Sequence, residues 1–170
     1  QIDLAIEQGS FATNPPLLDF IEKLKETGGT AHLLGLVSDG GVHGHLTHML
    51  AAVKALRAQG IPVVIHALTD GRDVAPRSAL GYFEALMDEL PEGVRVATVT
   101  GRYFAMDRDN RWDRVAKAFE AIVHAQGGTA ETAADAVNAA YARGENDEFI
   151  AATVLDGYKG AADGDALFCL

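Results

Sequence analysis

The sequence predicts an α/β fold: three layers, α/β/α, around a largely parallel sheet. Two observations carry that expectation. Short apolar runs alternate with amphipathic stretches of about ten to fifteen residues, the pattern of β-α-β units. Glycine, proline or a capping residue stands at most junctions between them.

Taken in order, Gln1–Gln8 reads as a short amphipathic segment with neither a basic nor an apolar leader region. Asn14-Pro15-Pro16 predicts a helix start over "LLDFIEKLKETGG", with Asn14 as N-cap and Gly28-Gly29 as the stop. "AHLLGLV" (31–37) is a buried strand, and a helix follows from about His45 to Ala58. "IPVVIHAL" (61–68) is the second strand, followed by a helix that runs to about Glu89. "GVRVATVT" (93–100) is the third. "DRVAKAFEAIVHAQG" carries apolar residues at 115, 118, 119, 122 and 123, a helical stripe closed by Gly127 and Gly128. A further helix spans about Thr132 to Arg143, and "EFIAATVL" and "DALFCL" read as later strands.

The 170 residues have the length of one domain with room for a sizeable core. No apolar run is long enough for a membrane helix. A net charge of -10 argues against sequence-independent binding to nucleic acid or to an anionic membrane. The single cysteine, Cys169, excludes an internal disulfide and fits a reducing cytoplasm. The chain opens on Gln1 and stops at Leu170 inside an apolar run, so it reads as a fragment of a longer protein.

Against that acidity the cations cluster. Arg72, Arg77, Arg95, Arg102, Arg108, Arg111 and Arg114 make up half of the 14 lysines and arginines. A local cationic pocket in an acidic protein suits a small anion. Three polar loops, "SDGGVHGH", "TDGRDVAPR" and "TGRYFAMDRDNR", each follow a predicted strand. In a parallel sheet those carboxyl ends share one edge, where such folds bind ligands.

Each loop has a plain reading beside a chemical one. Gly40-Gly41 permits a tight turn whose N–H groups suit an anion. His43, His45 and His48 form H-x-H-x-x-H, which invites a metal but lacks further ligands at matching spacing. The plain reading has His45 and His48 facing solvent or capping the helix, with His43 left to touch a ligand. Arg72-Asp73 is either a planar fork beside a proton acceptor or an Asx turn with a surface ion pair. In the third loop a calcium site fails, because the position of its twelfth ligand is Ala118. There Arg111 and Arg114, set against Asp107, are expected to hold the loop's shape, and Trp112 to pack. Residues alone lead to a small-anion site built from Arg, Asp and His.

Together, "GLVSDGGVHGH", "HALTDGRDVAPRSA" and "TGRYFAMDRDNRWDRVAKA" resemble the cofactor-independent (2,3-bisphosphoglycerate-independent) phosphoglycerate mutases. The resemblance runs from "IDLAIEQGSF" to "DGYKGAADGDALFCL", essentially the whole chain. It implies a glycolytic, cytoplasmic enzyme, monomeric at full length, that interconverts 3-phosphoglycerate and 2-phosphoglycerate through a phosphoserine. It also implies a phosphatase-like domain carrying the serine and two Mn2+ ions, with a second domain inserted into it to hold the glycerate.

Residues 1–170 are similar to that inserted substrate-binding, or phosphotransferase, domain, so no metal is expected in this chain. By resemblance His43, Arg72, Asp73, Arg102 and Arg108 contact substrate, and Asp73 shuttles a proton at the glycerate hydroxyls. The family's serine motif, metal ligands and a further arginine pair are not in this sequence, and the fragment alone is expected to be inactive. Two alternatives stand: a metal-dependent hydrolase using His43, His45 and His48, and a non-catalytic anion-binding module.

Overall fold

The computed structural model describes every residue from Gln1 to Leu170. In chain order the elements are α1 (Ile2–Glu7), a 3₁₀ turn (Phe11–Thr13), α2 (Pro15–Thr27), β1 (Ala31–Leu36), α3 (Leu46–Ala58) and β2 (Val63–Thr69). Then come α4 (Ala79–Glu89), β3 (Arg95–Gly101), α5 (Arg102–Ala105), α6 (Trp112–His124) and β4 (Gly128–Ala130). The chain finishes with α7 (Ala133–Ala142), a 3₁₀ turn (Asp147–Phe149), β5 (Thr153–Leu155) and β6 (Ala166–Cys169). No helix is long and apolar enough to cross a membrane.

The six strands form one sheet in the order β4-β5-β3-β2-β1-β6. All neighbours are parallel except β5, which runs against β3. That reversal follows from where the chain returns. After α7 it reaches the carboxyl end of β3, where Gly101 N–H donates to the Ile150 carbonyl, and from there it can only run back.

Apolar periodicity fixes the layers. On one face Leu17, Ile21 and Leu24 of α2 join α3, α4 and α7 over Leu33, Ile65 and Val99 in the main core. On the other face Ala121 of α6 packs with Ala97, Val154 and Tyr158 in a smaller cluster. The three-layer α/β/α expectation is thereby met.

Local differences from the sequence reading have identifiable causes. Helix α6 ends on Ala125 in the left-handed region (φ 52°), so Gly128 is free to open the edge strand β4 instead of closing a helix. Only the last three residues of "EFIAATVL" pair as a strand; Asp147–Phe149 coil into the 3₁₀ turn. Asn14 sits at the N-cap of α2 without a side-chain capping bond, whereas Thr132 and Asp135 form a full capping box on α7.

A bulge in β3 shapes the second face. Ile65 pairs with Val96 but His66 pairs with Thr98, which leaves Ala97 as the extra residue. His66 then lies in a buried polar line: its Nδ1 is 2.9 Å from Thr98 Oγ1 and its Nε2 is 2.8 Å from His32 Nδ1. His32 Nε2 is in turn 3.0 Å from Asp165 Oδ2. An ionised Asp165 can only accept, so one set of tautomers satisfies the line: Thr98 donates to His66, His66 to His32, and His32 to Asp165. Burial, with a smaller push from His32, lowers the His66 pKa to about 3.

Between pH 6.5 and about 3 the unfolded chain therefore binds a proton at His66 that the folded chain refuses. This contribution is complete above pH 6.5 and is lost on acidification, at up to about 1.4 kcal/mol per pH unit. Urea unfolding measured from pH 7.5 to 4.5 should show that slope. His66→Gln should start less stable and give a shallower one; an equal slope would remove His66 as its source.

Candidate functional site

The register of the three central strands builds the site. Leu36 is level with Leu68, and Leu68 with Thr100. Two residues beyond each lie Ser38, Asp70 and Arg102, all buried, and the outer two both bond to Asp70. Ser38 Oγ donates to Asp70 Oδ2 at 2.7 Å, and Arg102 Nη1 donates to Asp70 Oδ1 at 2.7 Å.

Asp70 Oδ1 also accepts the backbone N–H groups of Arg72 (3.2 Å) and Asp73 (3.0 Å), closing the Asx turn that the sequence allowed. Burial alone would raise the Asp70 pKa. The Asp73 amide, Ser38, Arg102 and the Arg72 amide together outweigh burial and hold it below the usual carboxylate range. Arg102 Nη1 is shared with Asp73 Oδ2 at 2.6 Å. Burial disfavours its charge, but Asp73 and Asp70 more than restore it, so Arg102 is a firmly held cation.

A second layer comes from the 3₁₀ segment. A Cβ on Gly101 would sit 2.4 Å from the Glu148 carbonyl oxygen, and one on Gly71 (φ +64°) 2.8 Å from both Asp147 Cβ and Glu148 N. Only glycine lets this segment come so near. Asp147 anchors it: its carboxylate accepts from Ser78 N (2.8 Å), Ala79 N (3.0 Å) and the Tyr141 hydroxyl, while its carbonyl accepts from Thr69 Oγ1 at 2.6 Å. Burial first, and Asp147 second, push the Tyr141 phenol pKa upward.

The third loop is organised around Asp107. Its carboxylate accepts from Arg111 N (2.8 Å), Asp109 N (3.2 Å) and Arg114 Nη1 (3.0 Å), and Arg114 also lies over the Tyr103 ring at 4.0 Å. The Arg111 guanidinium turns away to Asp113. Arg108 is exposed and pairs with no carboxylate.

Between these loops lies a pocket of about 270 Å³. His43, Arg72, Arg102 and Arg108 line it, joined by Tyr103, Arg114, Asp107, Asp109, Glu148 and Phe149, among others. Four of the five residues expected from the sequence thus share one cavity. The fifth, Asp73, stands behind Arg102 and is joined to the wall through it. Arg72 is half exposed, with Nη1 3.8 Å from Glu148.

Elsewhere the expectations need amendment. Gly40 and Gly41 do not line the pocket; the Gly40 N–H faces Ser38 Oγ. His45 caps α3 by accepting from Thr47 N (3.1 Å), as the plain reading expects, and His48 pairs with Asp3 (2.8 Å), so the histidine cluster of the hydrolase alternative does not form. No three His, Cys, Asp or Glu side chains are grouped to hold a metal ion. Trp112 does not pack: it opens α6 with 73% of its surface exposed, because the inner side of that helix is occupied by Ala118 and Ala121.

The family model described as BPG-independent PGAM N-terminus matches residues 2–170. The chain belongs to the BPG-independent phosphoglycerate mutase family. It is 69% identical over its full length to the 2,3-bisphosphoglycerate-independent phosphoglycerate mutase of Roseobacter denitrificans, and 66% identical to that of Dinoroseobacter shibae. In each case it covers 34% of the relative, so it spans about a third of the length of these mutases. A Leishmania mexicana phosphoglycerate mutase, crystallised at low cobalt concentration, superposes with a TM-score of 0.90 at 28% identity. That match covers 99% of this chain and 34% of the other.

Several residues that line this pocket carry no signal in the sequence. Tyr103 lies in the third loop without a role the sequence suggests, and Arg114 lines the pocket besides holding the loop through Asp107 as expected. Glu148 and Phe149 fall in a stretch that reads as a strand. Only the three-dimensional return of the chain beside Gly71 and Gly101 brings the last two in. Asp70 closes the Asx turn beside Arg72-Asp73, but its bond to Arg102, 32 residues away, has no local signal.

The loop and the exposed helix start should separate in mutagenesis. Asp107→Ala leaves the mostly buried Arg114 with only the exposed Asp109 at 3.8 Å, removes the acceptor of two loop amides, and should cost about 2–3 kcal/mol. Trp112→Ala should stay within about 0.5 kcal/mol. Chemical denaturation of both variants checks this, and a larger loss for Trp112→Ala would reverse the assignment.

Proposed function

We propose that this chain is the substrate-binding part of a phosphoglycerate mutase that interconverts 3-phosphoglycerate and 2-phosphoglycerate in glycolysis. The observation that carries the reading is the pocket in which His43, Arg72, Arg102 and Arg108 meet. Family membership supports a phosphoglycerate as the ligand of that pocket. A phosphoglycerate presents a carboxylate and a phosphate a few ångströms apart, and arginine forks suit both groups.

Arg108 and Arg72 are the mobile cations that meet the ligand first, with His43 offering a further donor. Arg102, with Nη1 committed to Asp70 and Asp73, presents its remaining N–H groups from a fixed position. Asp73, at the other end of that bond, is outside the pocket lining but still 19% exposed. It takes the proton from a glycerate hydroxyl that reaches past Arg102 to its carboxylate, as that hydroxyl becomes the acceptor, and returns it as the phosphoryl group leaves. The arginines hold the glycerate while the phosphoryl group resides elsewhere and neutralise charge in the transfer.

In this reading the chain corresponds to the inserted phosphotransferase domain. The phosphoserine and the divalent metal, proposed to be two Mn2+ ions, belong to the rest of the parent protein, a cytoplasmic monomer. The residues of this chain gather no metal-ligating group, and no step here is routed through a metal.

The isolated chain should not interconvert the two phosphoglycerates in a coupled assay; sustained turnover would overturn this division of labour. It should bind 3-phosphoglycerate weakly, and less well as salt is raised. Arg108→Ala should weaken that binding about tenfold, as loss of one charge-assisted contact does, without changing the melting temperature. Calorimetry in which Arg108→Ala binds like the unaltered chain would count against the pocket.

A further inference from the structure

Asp70 is absent from the pocket wall, yet it touches every strand end that supplies one. Its side chain is 2% exposed. Four donors converge on it: Ser38 Oγ from the end of β1, the Arg72 and Asp73 amides from the end of β2, and Arg102 Nη1 from the end of β3. We infer that Asp70 is a positioning residue, which holds the Arg102 guanidinium in the one orientation that serves both the ligand and Asp73.

The geometry makes the dependence one-directional. Arg102 Nη1 bridges Asp70 at 2.7 Å and Asp73 at 2.6 Å. Asp73 is joined to Asp70 only through that guanidinium and its own amide. Asp70, by contrast, keeps three further donors if Asp73 lets go. Its carboxylate is thus the fixed point, Arg102 the arm, and Asp73 the group being aimed. A neutral side chain at this position would still satisfy the shape of the turn. It would not supply the charge that keeps a buried guanidinium against two loops. The phosphoglycerate reading enters only through the ligand chosen for the test.

The 170-residue chain can be tested by NMR of the arginine side chains, together with titration by 3-phosphoglycerate and, separately, inorganic phosphate. A guanidinium clamped by two carboxylates rotates slowly, so Arg102 should show resolved Nη–H signals. Asp70→Asn should keep the dispersed amide spectrum, lose those signals and weaken phosphoglycerate binding about tenfold or more. Ser38→Ala, which removes one neutral donor, should weaken it about two- to fivefold.

A purely structural role would lower the melting temperature of Asp70→Asn while leaving the Arg102 signals in place and affinity within about twofold; that result overturns the inference. If Asp70→Asn does not fold, Ser38→Ala decides, and unchanged signals and affinity in it overturn the inference equally. An unaltered chain that binds neither ligand would defeat the functional proposal. Loss of the Arg102 signals in Asp70→Asn would still sustain the positioning role.

Discussion

The site rests on a constraint of register. β1, β2 and β3 run parallel, and Leu36, Leu68 and Thr100 lie level across them. Parallel strands joined through helices therefore deliver three loops to one edge at one height. Ser38, Asp70 and Arg102, each two residues past that line, fall within hydrogen-bond reach without any loop having to search for its partner. The single bulged residue, Ala97, shifts β3 by one place and so helps set this alignment. The same shift puts Thr98 opposite His66 on the second face. One backbone irregularity thus serves both the buried polar line and the candidate pocket.

Two buried carboxylates organise this edge, one on the returning segment and one behind the pocket. Asp147 ties the returning segment to the start of α4 and to Tyr141, and it has no part in the pocket wall. Asp70 ties Arg102 and the Asp73 amide. Both are buried and both accept several hydrogen bonds, and at Asp70 those bonds outweigh burial and hold the pKa below the usual carboxylate range. The exposed charges nearer the mouth, Arg72, Arg108 and Asp109, are free to respond to a ligand.

Much of this was legible in the residues. Apolar runs with helical stretches between them revealed the three strands and the layers, and polar glycine-bearing loops after those strands located the pocket. Four of its lining residues could be named from motif resemblance. What stayed hidden depended on tertiary return. β5 runs backward because of where α7 leaves the chain, and Glu148 and Phe149 enter the site only because Gly71 and Gly101 lack side chains. Trp112 misled for a related reason. A tryptophan at the start of an amphipathic helix suggests packing, but Ala118 and Ala121 take the inward positions of α6.

That exposed indole has a spectroscopic consequence. It is the sole tryptophan in the chain and sits four residues from Arg108, on the helix start fastened to Asp107. Its emission in the folded protein should already resemble that of a water-bathed ring. Intrinsic fluorescence would therefore be a poor gauge of global unfolding. It would instead be a local reporter of the third loop, registering any rearrangement there while the core stays silent.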